Sequence, residues 1–273
     1  MHLHDTPSRT EYPMLDTTGL REGFLLEALF AAGEIRLVYT DLDRAIVGAA
    51  CPADGELALT AGDELRAEYF CQRRELGVIN LAPATGTVTV DGTAHELATA
   101  DALYIGRGSK EIRFSGNGAA FYLVSYPAHH EYPTTRIAAA EAKHVPLGSS
   151  ADANERVIHQ YIHQGGAKSC QLVMGWTELK TGSVWNTMPC HTHARRSEIY
   201  LYFDVPAHHA VVHLLGEPQE TRAVWLRDRQ AVLSPSWSIH SGCGTASYKF
   251  VWAMGGENQQ FDDMDPAPIA TLL

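Results

Sequence analysis

Cys190-His191-Thr192-His193-Ala194-Arg195-Arg196-Ser197-Glu198-Ile199-Tyr200-Leu201-Tyr202-Phe203 is the stretch that decides how this chain is read. Imidazole nitrogens and a carboxylate oxygen are ligands for a divalent metal such as zinc. His191 and His193 stand two apart, so on an extended strand both side chains leave the same face. From Glu198 onward polar and apolar residues alternate, which predicts a strand with Glu198, Tyr200 and Tyr202 on one face. A hairpin of this kind brings three ligands to one point. His240, preceded by Ser234-Pro235-Ser236-Trp237-Ser238-Ile239, supplies a fourth from a later strand. Cys190 points away from the two histidines on such a strand and is read as a buried thiol. With 14 histidines in the chain, a chance surface pair is the ordinary alternative for His191 and His193 alone. His2, His4, His129, His130, His208 and His209 are taken as surface or structural residues. The β-patterned run, its leading carboxylate and the further histidine shift the reading to a metal site.

Working outward, 273 residues suffice for one large all-β unit or two small barrels. The formal charge of −11 argues against non-specific binding to nucleic acid or to an anionic membrane surface. A small anion stays admissible where a local arginine or lysine offsets the field. No apolar run approaches the roughly 20 residues of a membrane helix. The start, Met1-His2-Leu3-His4-Asp5-Thr6-Pro7, has no basic segment leading into an apolar one, so no secretory signal is expected. The five cysteines are scattered, with no CxxC pair, which fits a reduced cytoplasmic protein.

Leu20, Phe24, Leu25, Ala28 and Leu29 recur at helical spacing and predict a helix over about 19–31. Short β-forming runs follow, at 35–40 and 45–48, then at 102–106, 111–114 and 120–124. Between the first two and the rest, Asp91-Gly92 inside 87–97 signals a tight hairpin turn. Residues 127–155 change character: Pro127, Pro133 and Pro146 interrupt them, and 138–143 holds at best a short helix. Strands resume at 170–179 and continue at 198–203, 209–215, 222–226, 231–233 and 247–254. The expectation is an all-β chain: an N-terminal arm (1–34), a metal-free barrel half (35–126), a connector (127–155) and a metal-binding half (156–273). Arg73, Arg74 and Glu75 in the first half are expected in salt bridges at a barrel rim. That half is given a role in packing, oligomerisation or one wall of a pocket. Phe261-Asp262-Asp263-Met264-Asp265-Pro266 is expected to be an acidic surface segment.

Several blocks together carry a family resemblance. They are Glu75-Leu76-Gly77-Val78-Ile79-Asn80, Asp101-Ala102-Leu103-Tyr104-Ile105-Gly106, Trp185-Asn186-Thr187-Met188-Pro189-Cys190-His191-Thr192-His193, Ser234-Pro235-Ser236-Trp237-Ser238-Ile239-His240-Ser241-Gly242 and Gly256-Glu257-Asn258-Gln259. From about Leu15 to Asp265 the chain resembles the 4-deoxy-L-threo-5-hexosulose-uronate ketol-isomerase (5-keto-4-deoxyuronate isomerase) family. The resemblance implies a double cupin, that is, two β-barrel or jelly-roll halves, and a cytoplasmic role in pectin and uronate catabolism. It also implies a homo-oligomer, with a hexamer as the expectation. It places the family's metal ligands on His191, His193, Glu198 and His240, holding one zinc per chain, with Mn, Fe, Co or Ni as alternatives. The one departure is Ala194 followed by Arg195-Arg196-Ser197, a stretch that is more acidic or bulkier in relatives.

The chemistry implied is an aldose–ketose isomerisation of an open-chain keto-uronate, moving a carbonyl from C1 to C2. Such a reaction calls for a Lewis acid at the oxygens and a group that moves hydrogen between the carbons, by an enediol or a hydride shift. Glu178, Glu257 and Tyr200 are the candidates for a base; no catalytic residue is assigned. Arg195, Arg196 and Arg222 are the candidate forks for the substrate carboxylate, with surface salt bridges as their default role. The same ligand set also serves cupin dioxygenases, and a non-catalytic uronate-binding cupin is a third class. Metal content and oxygen consumption separate these readings.

Overall fold

The computed structural model describes residues 1–273. The chain divides into two compact units. Unit 1 comprises Met1–His4, Ala28–Lys143 and Tyr161–Met174; unit 2 comprises Asp5–Glu27, His144–Gln160 and Gly175–Leu273.

Each unit is built on a seven-stranded and a four-stranded sheet. In unit 1 the larger sheet runs His2–His4, Glu34–Thr40, Ile46–Cys51, Phe121–Pro127, Arg74–Asn80, Ala102–Ile105, Thr135–Ile137. The smaller runs Leu57–Ala58, Ile112–Ser115, Gly86–Val90, Thr93–Leu97. Asp91 and Gly92 both take positive φ (47° and 82°), the conformation a two-residue hairpin turn demands, and Val90 faces Thr93 across it. Between the two sheets lies a continuous apolar core that includes Leu76, Val78, Val88, Leu103, Phe114 and Phe121. Phe114 and Phe121 meet at 5.4 Å between ring centroids. Alternation supplies this core: Gly86–Val90 is buried at every second residue, as a strand with one face in the core must be.

Arg73, Arg74 and Glu75 do not make the expected rim salt bridges. Arg73 donates to the carbonyls of Leu65 and Arg66. Arg74 is buried and spends its guanidinium on Ser125 Oγ, the Ser125 carbonyl and the Arg44 carbonyl. Glu75 is fully buried. One of its oxygens accepts from the amides of Gln171 and Leu172 at 2.8 Å; the other accepts from the amide of Cys170 at 2.6 Å and the hydroxyl of Tyr104 at 2.9 Å. A carboxylate can be buried at modest cost when its lone pairs are all met in this way.

In unit 2 the larger sheet runs Lys143–Leu147, Arg156–Ile162, Val173–Leu179, Lys249–Gly256, Arg196–Phe203, Gln230–Ser234, Leu25–Leu26. The smaller runs Trp185–Asn186, Ser241–Gly244, Val211–Glu217, Glu220–Leu226. The N-terminal helix is shorter than its sequence periodicity predicts. It spans Thr17–Phe24, capped by the Asp16 carboxylate accepting from the Gly19 amide, and buries Leu20 and Phe24. It stops there because Leu25 and Leu26 turn extended and pair with Val232 and Ala231 at the sheet edge. The short helix expected over 138–143 is a single 3-10 turn at Ala139–Glu141, between the strands Thr135–Ile137 and Lys143–Leu147.

Candidate metal centre

The strand Arg196–Phe203 is buried along its whole length and sits between Lys249–Gly256 and Gln230–Ser234. Its alternate residues Arg196, Glu198, Tyr200 and Tyr202 share one face. His191 lies on the short strand His191–Thr192, and a turn closed by the Arg196 amide on the His193 carbonyl leads into the long strand. His240 immediately precedes the strand Ser241–Gly244. These elements bring His191, His193, Glu198 and His240 together, with one ligand atom of each within 4.8 Å of every other. Glu198 Oε2 is 3.0 Å from His193 Nε2 and 2.9 Å from His240 Nε2, and the Nε2 atoms of His191 and His240 are 3.1 Å apart.

The group could hold a metal ion, and the three short separations among its donor atoms match the spacing one requires. Ligand atoms about 2.1 Å from a single ion are spaced about 3.0–3.4 Å from each other. His193 Nδ1 donates to the Arg196 carbonyl at 2.9 Å, which leaves Nε2 for an ion; His240 Nδ1 has Ser234 Oγ at 3.4 Å. His193, Glu198 and His240 are buried. Burial, reinforced by neighbouring His240, pushes His191 down to about 3, so at neutral pH its imidazole is uncharged and its lone pair is available. Burial alone would raise the Glu198 carboxyl. The charge and hydrogen bonds of His240 and His193 overcome this and hold it well below the ordinary carboxylate range.

The cluster opens onto a cavity of about 210 Å³ within unit 2. Apart from the ligands, its wall is largely apolar, with Ile158, Phe250, Trp252, Met254, Phe261 and Met264 contributing. Two guanidiniums, Arg156 and Arg196, break that wall. Arg196 is 1% exposed and donates from Nη2 to the Asp263 carbonyl at 3.0 Å, while its buried Nε and Nη1 have no protein partner. Two unspent donor nitrogens on a buried cation, beside a cavity, can receive an anion. Arg156 donates to the Asn154 carbonyl, and burial lowers its pKa.

The remaining candidates separate. Tyr200 lines the cavity, with its ring edge-on to His240 and its hydroxyl 3.0 Å from Thr187 Oγ1. Burial and then Glu198 raise it well above the usual phenol range, so it is a neutral O–H group and not a phenolate base. Tyr202 lies deeper on the same face, with its hydroxyl 2.7 Å from His213 Nδ1, and does not reach the cavity. Glu178 lies 3.9 Å from Lys180 and Glu257 is exposed; neither lines the cavity. Arg222 pairs with Glu220 and donates to the Pro13 carbonyl. Arg195 forms ion pairs with Asp263 and Asp265. Surface salt bridging thus holds for Arg195 and Arg222, whereas Arg196 is buried at the site. Cys190 is buried, as expected, and is not among the clustered donors. Arg156 carried no signal in the sequence, and Thr187 only its place in the 185–193 block. Arg196 carried one: it stands two residues before Glu198 and so shares its face.

Residues 25–269 match the KduI/IolB family. The 4-deoxy-L-threo-5-hexosulose-uronate ketol-isomerase of Lachnoclostridium phytofermentans is 54% identical to this chain, over 100% of both chains. The protein of the same name from Formosa agariphila is 53% identical, over 94% of this chain and 93% of its own. Among solved structures, an IolB-like protein from Salmonella typhimurium LT2 superposes with a TM-score of 0.70 at 13% identity, covering 87% of this chain and 94% of that one. Lactobacillus farciminis oxalate decarboxylase superposes with a TM-score of 0.60 at 10% identity, covering 87% of each. At such identities the structural likeness speaks for the fold alone, and that fold is the all-β double cupin.

Proposed function

Because the chain belongs to the KduI/IolB family, we propose that it catalyses the reaction for which its half-identical relatives are named. The open-chain 4-deoxy-5-ketouronate (5-dehydro-4-deoxy-D-glucuronate) is isomerised to 3-deoxy-D-glycero-2,5-hexodiulosonate. The C1 carbonyl becomes an alcohol as the C2 alcohol becomes a carbonyl: one hydrogen passes from C2 to C1 and one proton from O2 to O1, with no net redox change. The observation that carries this reading is a three-histidine, one-glutamate cluster, buried but for half-buried His191, beside a buried arginine with unspent donors at one largely apolar cavity.

His191, His193, Glu198 and His240 would hold one zinc ion per chain, which when bound would supply Lewis-acid stabilisation of charge on the substrate oxygens. Arg196, with Arg156 nearby, takes the substrate carboxylate and so fixes which end of the molecule faces the cluster. Tyr200, as a neutral phenol, donates a hydrogen bond to a substrate oxygen. The apolar wall excludes water, which strengthens each of these contacts. The relatives' names support a place in uronate metabolism, and the family resemblance extends this reading to pectin catabolism in the cytoplasm; no helix is long and apolar enough to cross a membrane. The family resemblance supports a homo-oligomer, read as a hexamer; light scattering that finds a stable monomer at micromolar concentration contradicts it.

The test is incubation of the zinc-loaded protein with the ketouronate released by unsaturated-uronate breakdown, followed by NMR. Appearance of the C2 ketose with no oxygen uptake is expected. An unchanged substrate spectrum, or oxygen consumption with carbon–carbon cleavage, overturns the reading.

A further inference from the structure

The C-terminal segment 261–266 lies at the surface, as expected, with Asp262, Met264, Asp265 and Pro266 exposed, but it is tied down rather than loose. After the last barrel strand it folds back across the cavity as a strap. Phe261 and Met264 face the cavity, and the Phe261 ring meets Trp252 at 5.4 Å and 61°. Asp265–Pro266 pairs with His191–Thr192, the strand that bears the first histidine.

One side chain gathers the strap. Arg195 Nε donates to both carboxylate oxygens of Asp263 at 2.8 Å, and its Nη2 donates to the Asp265 carboxylate at 3.1 Å. Asn258 Nδ2 donates to Asp263 at 2.6 Å, and the Glu257 amide donates to the Arg195 carbonyl at 2.9 Å. The Asp263 main-chain carbonyl, immobilised in this way, is the only protein partner of the Arg196 guanidinium. A chain of contacts therefore runs from Arg195 through Asp263 to Arg196 and into the cavity.

We propose that Arg195 is a positioning residue for substrate recognition: through Asp263 it fixes the carbonyl that orients the Arg196 guanidinium, so the strap tunes the grip on the substrate carboxylate. The proposal rests on the reading that the cavity takes a uronate. Arg195 and Asp263 are 34% and 16% exposed, so solvent screens their ion pair in part. Its consequence lies in geometry, because an arginine recognises a carboxylate only when its N–H directions are set in advance.

The experiment is a double-mutant cycle on the zinc-loaded protein, with Arg195→Met, Arg196→Met and the pair together. Steady-state KM and kcat are read for the ketouronate, metal content by elemental analysis, and D-galacturonate binding by calorimetry. Arg195→Met is expected to raise KM about tenfold, with kcat within about twofold and metal content unchanged. In the Arg196→Met background the same change is expected to have almost no further effect, because its route is already cut. Arg195→Lys, which keeps the charge without the fork, is expected to fall between, and carries the cycle if Arg195→Met does not fold. An unchanged KM, or an effect that adds in full on Arg196→Met, overturns the proposal; so does a wild-type protein that binds no uronate. If the wild type does not isomerise the ketouronate yet binds D-galacturonate with an affinity that Arg195→Met weakens, the functional reading falls and the positioning role stands.

Discussion

At the third position of one central strand, unit 1 has Leu76 and unit 2 has Glu198. The two strands are equivalent: each lies fifth in a seven-stranded sheet of the same order. Leu76 faces Ile105 and Ser125 on its neighbours, and Glu198 faces Ser234 and Met254. Continuing along the same face, Val78 matches Tyr200 and Asn80 matches Tyr202; two residues before the leucine and the glutamate lie Arg74 and Arg196. In unit 1 Leu76 and Val78 join an apolar core, and Asn80 is consumed by the Ala84 and Leu97 carbonyls. Both arginines are buried, but Arg74 is committed to Ser125 and Arg44 while Arg196 keeps two unspent donors. One scaffold therefore yields either a sealed core or a reactive cavity. What separates them is whether the inward polar groups are satisfied internally or left for a ligand.

The largest effect is expected from making unit 2 resemble unit 1. Glu198→Leu should abolish metal retention and lower kcat/KM by at least about a thousandfold, because one ligand and the balancing charge are lost together. Circular dichroism should stay that of a β protein, since leucine is what this strand position carries in unit 1. Substantial activity in Glu198→Leu would erase the distinction between the barrels.

The converse exchange acts on stability. Leu76→Glu places a carboxylate in a dry apolar core with no histidine beside it, and should cost about 3–5 kcal/mol in urea unfolding. It should create no second metal site, and activity per folded molecule should be that of the wild type. A second equivalent of bound metal in this variant would mean that the strand position alone makes the site.

Arg196→Met should raise KM for the ketouronate about 10- to 100-fold, the worth of a charge-assisted hydrogen bond, with a smaller change in kcat. Arg74→Met should leave KM unmoved, because its guanidinium does not line the cavity beside the histidine cluster. Equal KM effects from both would remove the contrast between committed and unspent donors.

The pairing of His191 with His193 and the strand that carries Glu198 were legible because two-residue spacing and alternation are local properties. So was the Asp91-Gly92 hairpin. Other features depend on contacts distant in sequence. Glu75 reads as a rim charge until the amides of 170–172, nearly a hundred residues on, close around it. The strap reads correctly as an acidic surface run, but the contacts that fix it are not local: Arg195, which gathers it, lies 68 residues before Asp263. Helical periodicity continues past Phe24, yet pairing at the sheet edge draws Leu25 and Leu26 into a strand. Arg196 stood in the sequence beside Arg195 and Arg222 as one of three candidate forks; only the fold separates it from them, by burying it with two donor nitrogens unpartnered.

The smallest expected effect concerns the strap. The hydrogen bond from Arg195, and then that from Asn258, hold Asp263 at about 2, below its ordinary value of 3.8. A depressed carboxylate contributes its stabilisation in full above its unfolded value and loses it as pH falls from near 3.8 toward about 2. A carbon-NMR titration should therefore place the Asp263 midpoint near 2 in the wild type, and Arg195→Met should move it up toward 3.8. An unmoved midpoint would mean that Arg195 does not hold the strap.

The contrast between a sealed and a reactive barrel is tested most directly by elemental analysis of purified, metal-supplemented wild-type protein. About one zinc ion per chain is expected, from one complete ligand set in unit 2 and none in unit 1. Two ions per chain, or none, would contradict the assignment of the chemistry to one barrel.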